Sequence, residues 1–288
     1  MNTIKILDGA MGTELIKYGE ILPKHIWSAE TNLTNPNLVS EIHKNHIKAG
    51  AIYITTNTFR TTPRAFQKTG LSLKNAGLQS KKSFDLAVHS AKKASKFQKY
   101  VNILGSIAPL EDCYLPTLFP GKKIAIKEFE EIGEWIFNAK LSGFLLETMN
   151  SIIETEACLM AISKFNLPIW VSFNLLNSTK IRSGETLEDA INILKNYSVN
   201  CLLLNCNSLE RSYNALKLLT KYWHSDWGIY PNLGIGEPAP DGIISSYSTD
   251  EKFLNIIQKS IKLGATIVGG CCGVSPKHIS LINQYLND

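Results

Sequence analysis

Three cysteines in this sequence have the chemistry and the placement of a metal site. Cys206 follows one apolar run, and the adjacent Cys271 and Cys272 follow another, the first of them 65 residues further on. Thiolates are soft ligands that select zinc over hard cations, and a catalytic zinc ion takes three protein ligands and keeps a fourth position open. The long spacing is unlike that of zinc fingers, whose cysteines come in close pairs. The alternative is that Cys206 is a small buried hydrophobic residue and that the vicinal pair only packs.

Polar residues follow the other apolar runs in the same way. They are Asp8, Thr55, Thr56, Asn57, Ser106, Glu147, Thr148, Asn174 and Asn232. If the runs are parallel strands of a barrel, the residues at their carboxyl ends share one rim, and active sites lie on that rim. Two other interpretations stay open: Asp8 could cap a following helix, and Glu147 could belong to a buried ion pair.

Eight short apolar runs are the candidate strands that would position these residues. They cover residues 4–7, 51–55, 101–106, 143–147, 169–173, 200–205, 227–230 and 265–268. Most are continuously apolar, which is typical of parallel strands that are buried on both faces. Amphipathic stretches between the strands predict helices over residues 37–48, 81–96, 126–140, 152–164, 187–196, 209–222 and 250–262.

Three helix-to-strand junctions repeat one form, in which a glycine separates a lysine-bearing helix end from a buried strand. They read IKAGAIYITT, KLSGFLLET and IKLGATIVGG. Glycine suits the left-handed cap that ends a helix. Repeated βα units, without a glycine-rich dinucleotide fingerprint after the first strand, favour a closed (β/α)8 TIM barrel over a doubly wound sheet. The length of 288 residues predicts a single barrel domain over residues 1–288, with the loop 109–123 on the substrate side.

Composition excludes several classes of protein. Apolar residues make up 44% and charged residues 19%, which fits a globular chain with a large core. The net charge of +5 is dispersed, so we expect no nucleic-acid partner. No apolar run approaches the ~20 residues of a membrane span, and the first residues lack a signal-peptide pattern. Six cysteines without a disulfide framework indicate reduced thiols and hence a cytoplasmic protein. An oligomer is compatible with the sequence.

Four motifs, taken in order, resemble the homocysteine S-methyltransferase family. They are ILDGAMGTEL at 6–15, ITTNTF at 54–59, LLLNC ending at Cys206 and VGGCCG at 268–273. The likeness covers residues 6–278. It implies the same barrel that the strand count predicts, and an enzyme that methylates the thiol of homocysteine to give methionine. Members of the family use S-methylmethionine or betaine as donor, or supply the homocysteine module of cobalamin-dependent methionine synthase.

The resemblance also implies a cofactor, Zn²⁺. The cysteines that match the family's zinc ligands are Cys206, Cys271 and Cys272. A thiol bound to zinc is deprotonated at neutral pH, whereas a free thiol, with a pKa near ~8.5, is mostly protonated and a poor nucleophile. Homocysteine bound as the fourth ligand would therefore attack a methyl group without a general base.

Further residues are assigned to the substrates by the resemblance. Asp8 and Glu147 match acidic residues that meet the amino-acid end of homocysteine, and Thr56 matches the loop after the second strand. Trp27 matches a tryptophan near the methyl donor. Backbone N–H groups of the segment that begins at Gly9 are expected to meet the substrate carboxylate.

The identity of the methyl donor is left open by the sequence. A sulfonium such as S-methylmethionine, or S-adenosylmethionine as a poorer donor, fits a single barrel without folate or cobalamin modules; betaine is the alternative. Trp27, Phe59 and Tyr114 are candidate aromatic faces for the cation. Arg60 stands where many relatives carry an uncharged residue. An arginine beside a cationic donor is unfavourable unless it is paired.

Two further classes of function remain as rivals. GGCCG could be an anion-binding loop of a phosphate-binding barrel, or the chain could be a homocysteine-binding subunit whose partner supplies the donor. The remaining cysteines are given no functional role: Cys113 lies in a loop, Cys158 on a helix, and Cys201 within a strand, where it is predicted to be packed. His43 and His46 are predicted to be surface residues of one helix.

Overall fold

The computed structural model describes residues 3–236 and 243–288. Residues 1–2 and 237–242 of the predicted 1–288 domain lie outside this described part. The described strands, in chain order, are β1 (Lys5–Ile6), β2 (Tyr53–Thr55), β3 (Asn102–Ile107), β4 (Gly143–Met149), β5 (Ile169–Phe173), β6 (Leu175–Asn177), β7 (Lys180–Ile181), β8 (Val199–Asn205), β9 (Asp226–Tyr230) and β10 (Ile267–Val268).

Eight of the strands described in these ranges form one parallel sheet, in the order β1-β10-β9-β8-β5-β4-β3-β2. A parallel bridge between Leu7 and Tyr53 joins the two ends, and the Asp8 N–H donates to the Tyr53 carbonyl at 3.0 Å. The sheet is thereby closed, and the prediction of a (β/α)8 barrel is confirmed. The short hairpin of β6 and β7, which follows β5, was not predicted.

Helices alternate with the barrel strands. Those described are α1 (Met11–Lys17), α2 (Ala29–Thr34), α3 (Pro36–Lys48), α4 (Pro63–Gln67), α5 (Leu73–Ser95), α6 (Lys122–Asn138), α7 (Ile152–Ile162), α8 (Leu187–Leu194), α9 (Leu209–Tyr222), α10 (Asp250–Lys262) and α11 (Pro276–Asn287). The predicted start of α5 at residue 81 is wrong. Ser72 caps the helix by accepting from the Asn75 N–H, and the first turns bury the small residues Ala76 and Ser80, which give no apolar periodicity.

Apolar side chains fill the molecule in two layers. Inside the barrel, side chains from most of the strands pack together, among them Leu104, Trp170 and Leu203, since the interior of this fold is a packed core. Cys201 belongs to this layer and is 1% exposed, so its predicted packing is confirmed. A larger layer lies between the strands and the helices. None of the helices described is long and apolar enough to cross a membrane.

Candidate metal centre and substrate pocket

The three cysteines predicted as metal ligands meet at one end of the barrel. Their sulfur atoms all lie within 4.8 Å of one another, and the Sγ of Cys206 is 3.1 Å from that of Cys271 and 3.8 Å from that of Cys272. Hydrogen bonding to a neighbouring thiol, together with burial, raises the pKa of Cys206 and of Cys272 well above the usual range. Three thiols that converge in this way fit a soft divalent cation, which would stabilise their ionised forms.

Asparagines that follow two strands, β5 and β9, hold the cysteine loops. The Asn174 side chain donates to the carbonyl of Cys206 at 2.9 Å, and the Asn232 side chain accepts from the Cys272 N–H at 3.1 Å. Cys206 itself adopts a left-handed conformation, with φ of 53°. Such a conformation is costly for a residue other than glycine, so these contacts fix the direction of its thiol.

Asn205 was not predicted as a functional residue, yet it connects two sides of the site. Its side-chain oxygen accepts from the Thr148 N–H at 3.0 Å and from the Ser172 hydroxyl at 2.7 Å. Its amide nitrogen donates to the Thr148 hydroxyl at 2.8 Å and lies 3.9 Å from the sulfur of Cys271. The signal in the sequence was its position directly before Cys206, at the end of an apolar strand.

Two carboxylates line the same pocket. Asp8 is 4% exposed and accepts from the Thr55 N–H at 2.9 Å. Burial, and then the nearby charge of Glu147, raise the pKa of Asp8 well above its usual value. The Ser106 hydroxyl donates to Glu147, and burial raises the pKa of Glu147 to about 7. A substrate ammonium would favour the ionised form of both groups.

The pocket itself is a cavity of about 350 Å³. It is lined by every residue predicted for the site, namely Cys206, Cys271, Cys272, Asp8, Gly9, Thr56, Glu147 and Trp27. Thr56 also supports the strand ends, since its hydroxyl accepts from the Ser106 N–H at 3.1 Å. Thr55, which was not assigned to a substrate, holds the carboxylate of Asp8.

Position 9 requires glycine because neighbouring atoms fill the space that a side chain would occupy. A Cβ at this position would come within 2.6 Å of the Val274 carbonyl oxygen and of the His46 ring. His43 and His46 are both buried in α3, so the prediction that they lie on the surface is wrong. The helix turns them inward because it packs against α1 and α5. Burial lowers the pKa of His43 to about 4 and that of His46 to about 3.

The loop 109–123 forms one side of the pocket mouth. Glu154, whose pKa is raised to about 7 by burial, accepts from the Leu110 N–H at 2.8 Å. Glu111 is held by Arg64 and Lys68. These contacts bring the next residues of the loop into the pocket wall; they are Asp112, Cys113 and Tyr114. Cys113, which was predicted to have no role, is buried and lines the pocket.

Two of the three candidate aromatic faces already carry an arginine. The Arg60 guanidinium lies 5.4 Å from the centre of the Phe59 ring and donates to the Glu111 carbonyl. The Arg182 guanidinium lies 4.8 Å from the centre of the Tyr114 ring. Trp27 is the third face. A cationic donor therefore has less free aromatic surface here than the sequence predicted.

The glycine-rich loop after β10 does not fit the anion-binding alternative. Backbone N–H groups along this loop donate to other parts of the protein, from Gly269 to the Ile229 carbonyl and from Gly270 to the Asp8 carbonyl. The Cys271 N–H donates to a carbonyl, the Cys272 N–H to the Asn232 side chain and the Gly273 N–H to the Thr13 hydroxyl. N–H groups used in this way are not available to cradle a phosphate.

The chain is similar to known proteins over nearly its whole length. A family model described as homocysteine S-methyltransferase matches residues 5–286. Homocysteine S-methyltransferase 1 of Arabidopsis thaliana is 26% identical, over 98% of this chain and 93% of that protein. Homocysteine S-methyltransferase of Escherichia coli is 27% identical, over 97% and 94%. The metallated crystal form of the homocysteine methyltransferase MmuM from Escherichia coli has a TM-score of 0.82 at 26% identity, covering 98% of this chain and 96% of that one. The chain belongs to the homocysteine S-methyltransferase family.

Proposed function

We propose that this protein is a zinc-dependent enzyme that transfers a methyl group from a sulfonium donor to homocysteine, giving methionine. One barrel domain carries the activity, and its substrates are small molecules. The observation that carries the proposal is the cluster of three thiols within 4.8 Å beside two buried carboxylates in one cavity. Membership of the family and the metallated form of the Escherichia coli relative support it.

The metal would be held by Cys206, Cys271 and Cys272. A zinc ion bound there supplies ionisation of the substrate thiol at neutral pH, so that no side chain has to act as a general base. Asn174 and Asn232 fix the loops of the ligands, as second-layer hydrogen bonds do in other metal sites.

Asp8 and Glu147 orient homocysteine through its ammonium group. Thr55 holds the Asp8 carboxylate, and the Ser106 hydroxyl holds that of Glu147. Two carboxylates close together in a cavity disfavour joint ionisation, and a bound ammonium relieves this repulsion. Positioning of the thiol beside the methyl group contributes the remainder of the rate enhancement.

S-methylmethionine is the donor that we propose. Its sulfonium becomes a neutral thioether, namely methionine, when the methyl group leaves. Betaine remains the second candidate, since it also gives a neutral leaving group. A quaternary ammonium is bound by a cage of free aromatic faces, and the guanidinium groups of Arg60 and Arg182 over Phe59 and Tyr114 disfavour such a cage.

The test is methionine formation by the reduced, zinc-loaded protein with homocysteine and each of four donors: S-methylmethionine, S-adenosylmethionine, betaine and methyl-folate. Turnover with S-methylmethionine above the other three is the expected result. Turnover with betaine alone would show that betaine, and not S-methylmethionine, is the donor. Binding of one zinc ion and of homocysteine without turnover would favour the alternative that the chain is a homocysteine-binding subunit whose partner supplies the donor.

A further inference from the structure

Charged side chains of both signs line the pocket. Asp8 and Glu147 lie on the side of the cysteines, since the charge of Glu147 acts on both Asp8 and Cys271. Lys24 and Arg60 line the same cavity from the segments that follow α1 and β2. One acidic residue of the loop 109–123, Asp112, also lines the cavity, and its carboxylate accepts from the Tyr114 N–H at 2.9 Å.

Arg60 lines this cavity, and its charge partly offsets the rise in pKa that burial causes in Glu154, which lies beyond salt-bridge distance. The polar contact of Arg60 is with a neutral group, the Glu111 carbonyl, at 2.5 Å, and its other contact is with the Phe59 ring. The carboxylate of Glu111 is held instead by Arg64 and Lys68. Among the residues that the structure describes, no carboxylate lies within salt-bridge distance of Arg60 or of Lys24.

We propose that Arg60, assisted by Lys24, binds the carboxylate of the methyl donor and selects donors that carry one. The inference rests on the proposed methyl transfer and adds the residue that recognises the donor. Guanidinium groups bind carboxylates strongly because two parallel N–H bonds match the two oxygens. The carboxylate of an amino-acid sulfonium lies several bonds from its methyl group. The donor can therefore place its methyl group toward the cysteines and its carboxylate toward Arg60.

The unfavourable encounter of an arginine with a cationic donor is resolved by this orientation. The sulfonium points inward, to a region that holds thiols and carboxylates, and the negative end of the donor meets the guanidinium. Asp112 lies on the same side and can take the ammonium of an amino-acid donor. Homocysteine is recognised separately, by Asp8 and Glu147.

The experiment compares two donors in four proteins. The donors are S-methylmethionine and its decarboxylated analogue, (3-aminopropyl)dimethylsulfonium, which keeps the sulfonium and the ammonium. The proteins are the wild type, Arg60→Gln, Arg60→Lys and Arg64→Gln. Arg64→Gln is the matched control, because Arg64 holds the same loop through Glu111 without lining the cavity. We measure kcat and KM for each donor, and KM for homocysteine.

We expect Arg60→Gln to lower kcat/KM for S-methylmethionine about ten- to hundred-fold, the usual range for a lost hydrogen bond to a charged group. In Arg60→Gln, kcat/KM for the decarboxylated donor and the KM for homocysteine should change little. Arg60→Lys should keep part of the preference for S-methylmethionine over the decarboxylated donor. Arg64→Gln should affect both donors equally. An equal loss for both donors in Arg60→Gln would show that Arg60 only supports the loop and would overturn the inference. If the wild type uses neither sulfonium, the proposed function itself fails.

Discussion

Replacement of Asn205 by alanine tests how much of the metal site depends on residues that do not bind the metal. Asn205 is completely buried. The substitution removes hydrogen bonds to the Thr148 N–H, the Thr148 hydroxyl and the Ser172 hydroxyl, and the contact with the sulfur of Cys271. Thr148 has a left-handed backbone with φ of 59°, which the asparagine supports.

The expected loss of stability follows from these contacts. A typical hydrogen bond contributes about 0.5–1.5 kcal/mol, and a buried donor left without an acceptor costs about 1–3 kcal/mol. We therefore expect the free energy of unfolding to fall by about 2–4 kcal/mol. For a chain of 288 residues, 1 kcal/mol corresponds to roughly 2 °C, so Tm should fall by about 4–8 °C. Loss of such a supporting contact lowers metal affinity about ten- to hundred-fold.

The assay has two parts: thermal unfolding of the metal-free protein, and competition for zinc with a chromophoric chelator. Asn200→Ala is the matched control, because Asn200 lies at the opposite end of β8 and its side chain accepts from the Ile169 N–H at 2.8 Å. This control should lose stability modestly and bind zinc like the wild type. Wild-type zinc affinity in Asn205→Ala would refute the argument that this asparagine positions the ligands.

Three further predictions concern other parts of the site. Cys272→Ala should lose both bound zinc and methyl transfer, as measured by metal analysis and a methionine assay; full activity would rule out the zinc mechanism. Gly9→Ala should cost about 1–3 kcal/mol of stability, because the added Cβ meets the Val274 carbonyl and the His46 ring. Gly77→Ala, where a Cβ meets nothing within 4 Å, is its control and should not destabilise. The buried histidines should contribute a loss of stability in acid, since the pKa of His43 is about 4 and that of His46 about 3, although the raised pKa values of the buried carboxyls oppose this loss. Both imidazoles are neutral in the folded protein, so their contribution is complete above pH 6.5 and falls by about 1.4 kcal/mol per pH unit for each residue below it. In urea unfolding from pH 7 to 4.5, the stability of His46→Phe relative to the wild type should rise as the pH falls, because the contribution of His46 is absent from the variant; equal pH dependence of the two proteins would contradict the assignment.

The barrel could be predicted from the sequence because its strands are encoded locally. A strand buried on both faces is continuously apolar, and the eight apolar runs are separated by amphipathic helices. The ends of β4, β5 and β8 fall within two residues of their predicted positions. The start of α5 and the β6–β7 hairpin were missed, since neither has a marked apolar period.

Residue type, position after a strand and motif were enough to predict the fold class, the three cysteines that converge and the two carboxylates. Which residues support them depends on tertiary contacts. Closure of the barrel brings Asn205 to Thr148, 57 residues away, and to Cys271, 66 residues away. Packing of α3 buries His46 behind Gly9. Glu111 of the loop 109–123 pairs with Arg64 and Lys68, so its carboxylate does not pair with Arg60, which lines the cavity. These contacts join residues far apart in the chain, so no local pattern of residues encodes them.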